Sequence, residues 1–114
     1  MNINLKHDAG FSILTLEGDF ISEVEQMALR DKVGLLLEEN KKQIIIDFSG
    51  VKYINSCGLG ALVCVLSTVR KIGGDIQLVG IKKDVKRVMS LTKLDTVFNG
   101  YRSMKSALAN RSTS

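Results

Sequence analysis

The residues with the most chemistry in them fall in one short stretch, Asn55-Ser56-Cys57-Gly58-Leu59-Gly60. An asparagine and a serine side by side ahead of an apolar run are two good helix N-caps. Each can accept a hydrogen bond from one of the orphan N–H groups that open a helix. A helix needs only one such cap, so the other side chain is left to face solvent. A phosphate on the Ser56 hydroxyl would meet the positive end of a helix and its unpaired N–H groups. The chain could carry that modification without melting the helix.

The other reactive residues offer less. Cys57 sits where a helix dipole lowers a thiol pKa. A nucleophile also needs a base and an oxyanion site, and no base stands nearby in the sequence. His7 is the sole histidine and lies far from every nucleophile. Gly58-Leu59-Gly60 lacks the third glycine of a dinucleotide fingerprint and the lysine of a P-loop. These glycines suit a tight turn and close helix packing. Cys57 and Cys64 are seven residues apart, about 10 Å along a helix, too far for a disulfide. Two thiols and one distant histidine do not make a zinc site, so buried, reduced cysteines are expected. The reading is of a protein that is not an enzyme and holds no cofactor or metal.

The elements that must position Ser56 follow from periodicity. Ile3 to His7 alternates apolar and polar, as in a one-faced strand near a sheet edge. Asp8-Ala9-Gly10 is a turn signal, and Phe11 to Leu16 completes a hairpin. Ser22 and Glu25 have capping-box spacing. Val24, Met27, Ala28, Val33, Leu36 and Leu37 then predict an amphipathic helix ending near Asn40. Gln43 to Phe48 is a near-continuous β-branched run, typical of a strand buried on both faces. The run Ala61 to Leu66 is apolar all round and predicts a largely buried helix, stopped by Arg70-Lys71-Ile72-Gly73-Gly74. Ile76 to Val79 is a strand, and Asp84 to about Leu91 a helix with Val85, Val88 and Met89 inward. Val97-Phe98 reads as a short final strand, and Ser103 as the cap of a last helix with Met104, Ala107 and Leu108.

This β-β-α-β-α-β-α-β-α order predicts an α/β layer fold: a mixed sheet of about five strands, sequential β-α units and about four helices. With 114 residues, 45% hydrophobic and 25% charged, the chain fits one domain over 1–110 and a polar tail over 111–114. Net charge is +4, too mild and dispersed to point to direct nucleic-acid binding. The densest basic cluster, Lys82 to Arg87, reads as a solvated helix face, with a docking patch as the alternative. No apolar run reaches the ~20 residues of a membrane span. The first residues lack the basic-then-apolar order of a signal peptide. Cytoplasmic residence without membrane insertion is the expectation.

The stretch from Ile44 to Leu62, with Asp47-Phe48-Ser49 at the end of an apolar strand and Ile54-Asn55-Ser56-Cys57-Gly58-Leu59-Gly60 opening an apolar helix, resembles the signature of STAS domains. That name joins sulphate transporters and anti-sigma factor antagonists. Gly73-Gly74, Val85 to Met89 and Leu94 to Phe98 fall where the family has its glycine pair, third helix and final strand. The resemblance implies an anti-sigma factor antagonist in a bacterial partner switch. Such a protein binds an anti-sigma factor, often a serine kinase with a histidine-kinase-like ATP fold, and so frees a sigma factor. The kinase phosphorylates the first serine of the motif, here Ser56, and blocks binding; a metal-dependent serine phosphatase reverses this. The implied partner surface is Asp19, Phe20, Ile21 and Ser22 together with Asn55, Ser56, Cys57, Gly58 and Leu59. Phe20 and Ile21 are read either as contacts at its edge or as a staple against the first helix.

Two positions depart from the family pattern. Asn55 stands where most phosphorylated members have Asp, which removes a like charge beside the prospective phosphate and a possible kinase-recognition element. Ile21 stands where many members have Asp after the second strand. The alternative within the family is a STAS-type regulatory subunit of a membrane transport complex, not phosphorylated.

Overall fold

The structure, a computed structural model, describes residues 2–19, 23–91 and 99–101. Strand β1 (Asn2–Asp8) and strand β2 (Phe11–Glu17) form an antiparallel hairpin with Asp8 opposite Phe11. Its two turn residues, Ala9 and Gly10, both have positive φ, 53° and 85°. That is the two-residue turn whose twist matches the flanking strands. Helix α1 (Glu23–Glu38) leads to β3 (Gln43–Gly50), then α2 (Ser56–Lys71), β4 (Asp75–Val79), α3 (Lys83–Leu91) and β5 (Asn99–Tyr101). The sheet order is β1-β2-β3-β4-β5, with β2 to β5 parallel and β1 antiparallel at one edge. The mixed sheet, the sequential parallel strands and the edge placement of β1 agree with the sequence expectations. Three helices lie among the described residues; the expected helix from Ser103, the expected strand Val97-Phe98 and the 111–114 tail lie outside them.

Alternation sorts the side chains. On one face of the sheet, Leu14, Leu16, Ile44, Ile46, Phe48, Ile76 and Leu78 form a single buried cluster with residues from α1, α2 and α3. On the other face Phe11, Ile13, Ile45 and Val79 are also buried. Strand β3 is therefore covered on both faces, as its β-branched run predicts.

Two helices end by the same device. After α1, Asn40 adopts φ 61°, and Lys41 N–H donates to the Leu36 carbonyl at 2.9 Å and Asn40 N–H to that of Leu37 at 3.0 Å. After α2, Gly73 adopts φ 85°, with Gly74 N–H on the Val69 carbonyl at 3.0 Å and Gly73 N–H on that of Arg70 at 3.1 Å. Both are left-handed caps that satisfy the last carbonyls. The second glycine of the pair, Gly74, has a different reason: a Cβ there would collide with the backbone of Lys42.

Three sequence expectations need correction. The buried stripe of α1 is Leu29, Val33 and Leu36, whereas Val24 and Met27, expected inward, are 74% and 60% exposed. At 100° per residue, Met27 lies ~200° round the helix from Leu29, so the two cannot share a face. Helix α2 is less buried than its composition suggests. Leu59, Ala61, Leu62, Val65, Leu66 and Val69 face the core, while Gly60, Ser67, Thr68 and Arg70 face solvent. Cys64, expected buried, is on that exposed side as a free thiol.

Candidate functional site

The C-terminal ends of β2 and β3 meet at one pole of the sheet, and both helices that follow them start there. Gly18 N–H donates to the Gly50 carbonyl at 3.0 Å, and the pairing shifts register between Thr15 and Glu17. A Cβ at Gly50 would stand 2.7 Å from the Leu16 carbonyl oxygen, so the close approach of these strands requires glycine. The chain then turns, with Val51 N–H on the Phe48 carbonyl at 2.9 Å.

The connection from β3 to α2 is held by two apolar anchors. Val51 and Ile54 are buried in the main core. Between them Lys52 and Tyr53 face solvent, the tyrosine 58% exposed. Pinning both anchors fixes where the helix begins.

Asn55 takes the cap. Its backbone is extended, at φ −110° and ψ −178°, and its Oδ1 accepts from Gly58 N–H at 2.9 Å. Its carbonyl accepts from Leu59 N–H at 3.0 Å, opening the helical ladder. Of the two candidate caps in the sequence, asparagine fills the role, and Ser56 is the first residue of the 16-residue helix α2. The first turn of α2 contains no acidic residue. Asn55 is itself neutral, so the positive helix end is not offset by a carboxylate within that turn.

The other expected site residues divide. Asp19 is exposed and follows directly on Gly18, at the same pole. Phe20, Ile21 and Ser22 lie outside the described residues. Gly58 is buried. Leu59, expected at the partner surface, is a core residue instead, 2% exposed and packed in the main cluster. It supports the first turn from beneath. The surface at this point belongs to Gly60, which is exposed and has no atom within 4 Å of where its Cβ would stand.

A neighbouring loop is similarly fixed. Asp47 Oδ1 accepts from Ser49 N–H at 2.9 Å, and Gly80, at φ 67°, lies so near that a Cβ would be 2.9 Å from that oxygen. Among the described residues no group of His, Cys, Asp or Glu could hold a metal ion. Among them, too, no helix is long and apolar enough to cross a membrane.

Sequence reasoning missed Tyr53, Val24 and Met27 as surface residues. For Tyr53 a signal existed: flanking anchors at 51 and 54 leave the two residues between them outward. For Val24 and Met27 the signal was the phase of Leu29, Val33 and Leu36, which places both opposite the buried stripe.

A strand-turn-helix with a capped, carboxylate-free helix start at the end of a sequential parallel sheet defines a class, and the comparison with known proteins identifies it. The chain belongs to the STAS domain family, whose pattern matches residues 2–107. A Thermotoga neapolitana protein, whose name gives it as a candidate anti-sigma factor antagonist, is 35% identical over 72 residues, 63% of this chain and 64% of its own. The matched region thus spans less than two thirds of that relative. The anti-sigma-F factor antagonist RsfB of Mycobacterium tuberculosis is 27% identical over 101 residues, 87% of this chain and 80% of its own. Among solved structures, a candidate anti-sigma factor antagonist from Thermotoga maritima superposes with a TM-score of 0.86 at 26% identity, over 94% of this chain and 92% of that one.

Proposed function

We propose that this protein is an anti-sigma factor antagonist, and that phosphorylation of Ser56 switches its binding to an anti-sigma factor. The observation that carries the reading is the position of Ser56 as first residue of α2, with Asn55 as the cap. The Asn55 side chain makes the cap bond, so the capping of the helix does not rest on the residue that would be modified. A phosphate there sits at the positive end of a helix whose first turn holds no carboxylate. The names of the mycobacterial and Thermotoga relatives point to the same role.

In this reading the partner is an anti-sigma factor that is also a serine kinase with a histidine-kinase-like ATP fold. A metal-dependent serine phosphatase restores the binding form. The partner surface is the pole formed by Asp19 to Ser22, Tyr53, Asn55, Ser56, Cys57 and Gly60, with Gly58 and Leu59 as its floor. The protein acts as substrate and ligand and carries no catalytic group. Its place of action is the cytoplasm, where a sigma factor works.

The test is mass spectrometry of the protein after incubation with the cognate kinase and ATP, followed by a binding titration of both forms. We expect one phosphate, on Ser56, and loss of binding that the phosphatase restores. Phosphate on another residue, or equal affinities of the two forms, overturns the switch.

A further inference from the structure

We propose a second binding site, for a small oxyanion of the phosphate class, at the pole of the sheet opposite Ser56. A cleft of about 450 Å³ opens where β2 and β3 begin, lined by His7, Ser12, Lys41, Lys42 and Gln43 among others. Strand β3 separates it from the Ser56 pole by about 23 Å, the seven steps of ~3.3 Å between its eight residues. Nothing in the proposed switch uses it, and this inference does not rest on that reading.

The cleft is rich in donors. Lys41 Nζ lies 3.4 Å from His7 Nε2, and His7 Nδ1 lies 3.2 Å from Ser12 Oγ. An ammonium group only donates, so Lys41 is the donor of its contact with the ring, and the His7 ring links it to Ser12. Ser12 is one of two polar residues among the buried ones, 2% exposed, in a strand whose other buried side chains are apolar. The Lys41 ammonium, Lys42, His7 and Ser12 are therefore gathered about one cleft. Of the described residues that line it, none is acidic. The Gln43 amide oxygen is buried and does not set an acceptor against the ligand.

The Glu39 carboxylate reaches Lys41 at 3.9 Å, and both side chains are exposed. Such a pair is weak and gives way to a better anion. Two lysines match the near double charge of a phosphate at neutral pH better than the single charge of a carboxylate. The ligand is taken to be free in solution, and a phospholipid headgroup is the competing source of the same chemistry.

The experiment is a ¹H–¹⁵N NMR titration of the full chain with inorganic phosphate, at ionic strength held constant with sodium chloride. We expect saturable shifts confined to the amides of Gly10 to Ser12 and Lys41 to Gln43, with millimolar affinity. Lys41→Met and Lys42→Met should each weaken it roughly fivefold. Lys42→Met is the safeguard against misfolding, since no side-chain bond of Lys42 enters the argument. Non-saturating shifts, equal shifts with chloride alone, or shifts that survive both substitutions would overturn the site. A parallel titration uses vesicles containing phosphatidylglycerol. Broadening of the same amides by vesicles, with no response to free phosphate, would overturn the free-anion assignment.

Discussion

Asn55 and Gly60 show what single residues contribute at the switch pole. The Asn55 side chain satisfies one orphan N–H, the kind of bond whose loss costs about 1 kcal/mol. Asn55→Ala should therefore lower the unfolding free energy by that amount, read as a fall in the urea midpoint at unchanged slope, while Asn55→Asp should match or exceed the wild type, because a carboxylate suits a helix N-terminus. An unchanged midpoint for the alanine variant would remove Asn55 from the cap role. In the phosphorylated protein the order reverses: an aspartate beside the phosphate adds like-charge repulsion, so the neutral cap favours the modified state. Gly60 makes a complementary case. Glycine inside a helix costs roughly 0.5–1 kcal/mol relative to alanine, and no packing reason for it exists, since the space about it is open. Gly60→Ala should stabilise the free protein by about that much. If a partner approaches α2 closely there, the same methyl should weaken binding. Denaturation and titration of the one variant would thus move in opposite directions; unchanged binding would take Gly60 out of the contact surface.

Helix α1 marks how much of the fold and site is legible in the sequence at the scale of elements. Strands were easy to read, because alternation or a β-branched run leaves one assignment, and β3 is buried on both faces as its composition requires. Helix faces were harder. Val24, Met27, Val33 and Leu36 all fit some helical stripe, and only the phase of Leu29, Val33 and Leu36 against the sheet chooses among them. The same ambiguity hid the exposure of Cys64 in an apolar helix. At the site, the motif located Ser56, but which neighbour caps the helix depends on where Val51 and Ile54 anchor the chain, a tertiary fact. The corrected faces make sharp predictions. Leu36→Ala should cost ~2–5 kcal/mol through a core cavity, whereas Met27→Gln should change stability by less than about 0.5 kcal/mol. Comparable losses for the two would restore the discarded face. Cys64 should react with an alkylating reagent in the native state as readily as in the unfolded chain, read as one rapid adduct in Cys57→Ser; slow labelling there would return it to the core.

At the scale of the whole molecule, the proposed switch requires that one phosphate alter binding without rearranging the fold. The switch pole is built so that its supports lie beneath the surface. Val51, Ile54 and Leu59 belong to the main core, the cap bond is made by Asn55, and the strand ends are locked by the Gly18–Gly50 contact. A phosphate adds about −1.5 to −2 charges at the positive end of α2, a placement that is neutral to favourable for the helix. On the proposed switch, a partner docking at this pole must bury that charge or be held off by it. Burial of an unmatched charge costs ~3–5 kcal/mol, a factor of hundreds to thousands in affinity. We therefore expect Ser56→Asp, with about half the charge of the phosphate, to unfold within roughly 0.5 kcal/mol of the wild type and to lose most of its binding. Ser56→Ala should fold comparably, resist phosphorylation and bind constitutively. Amide hydrogen exchange in β3 and β4 should be the same in all three proteins and in the phosphorylated form, with changes limited to residues around the start of α2. A drop in protection across the sheet would show that the phosphate acts by unfolding. Retained binding by Ser56→Asp, with the phosphorylated form also binding, would place the partner on another surface.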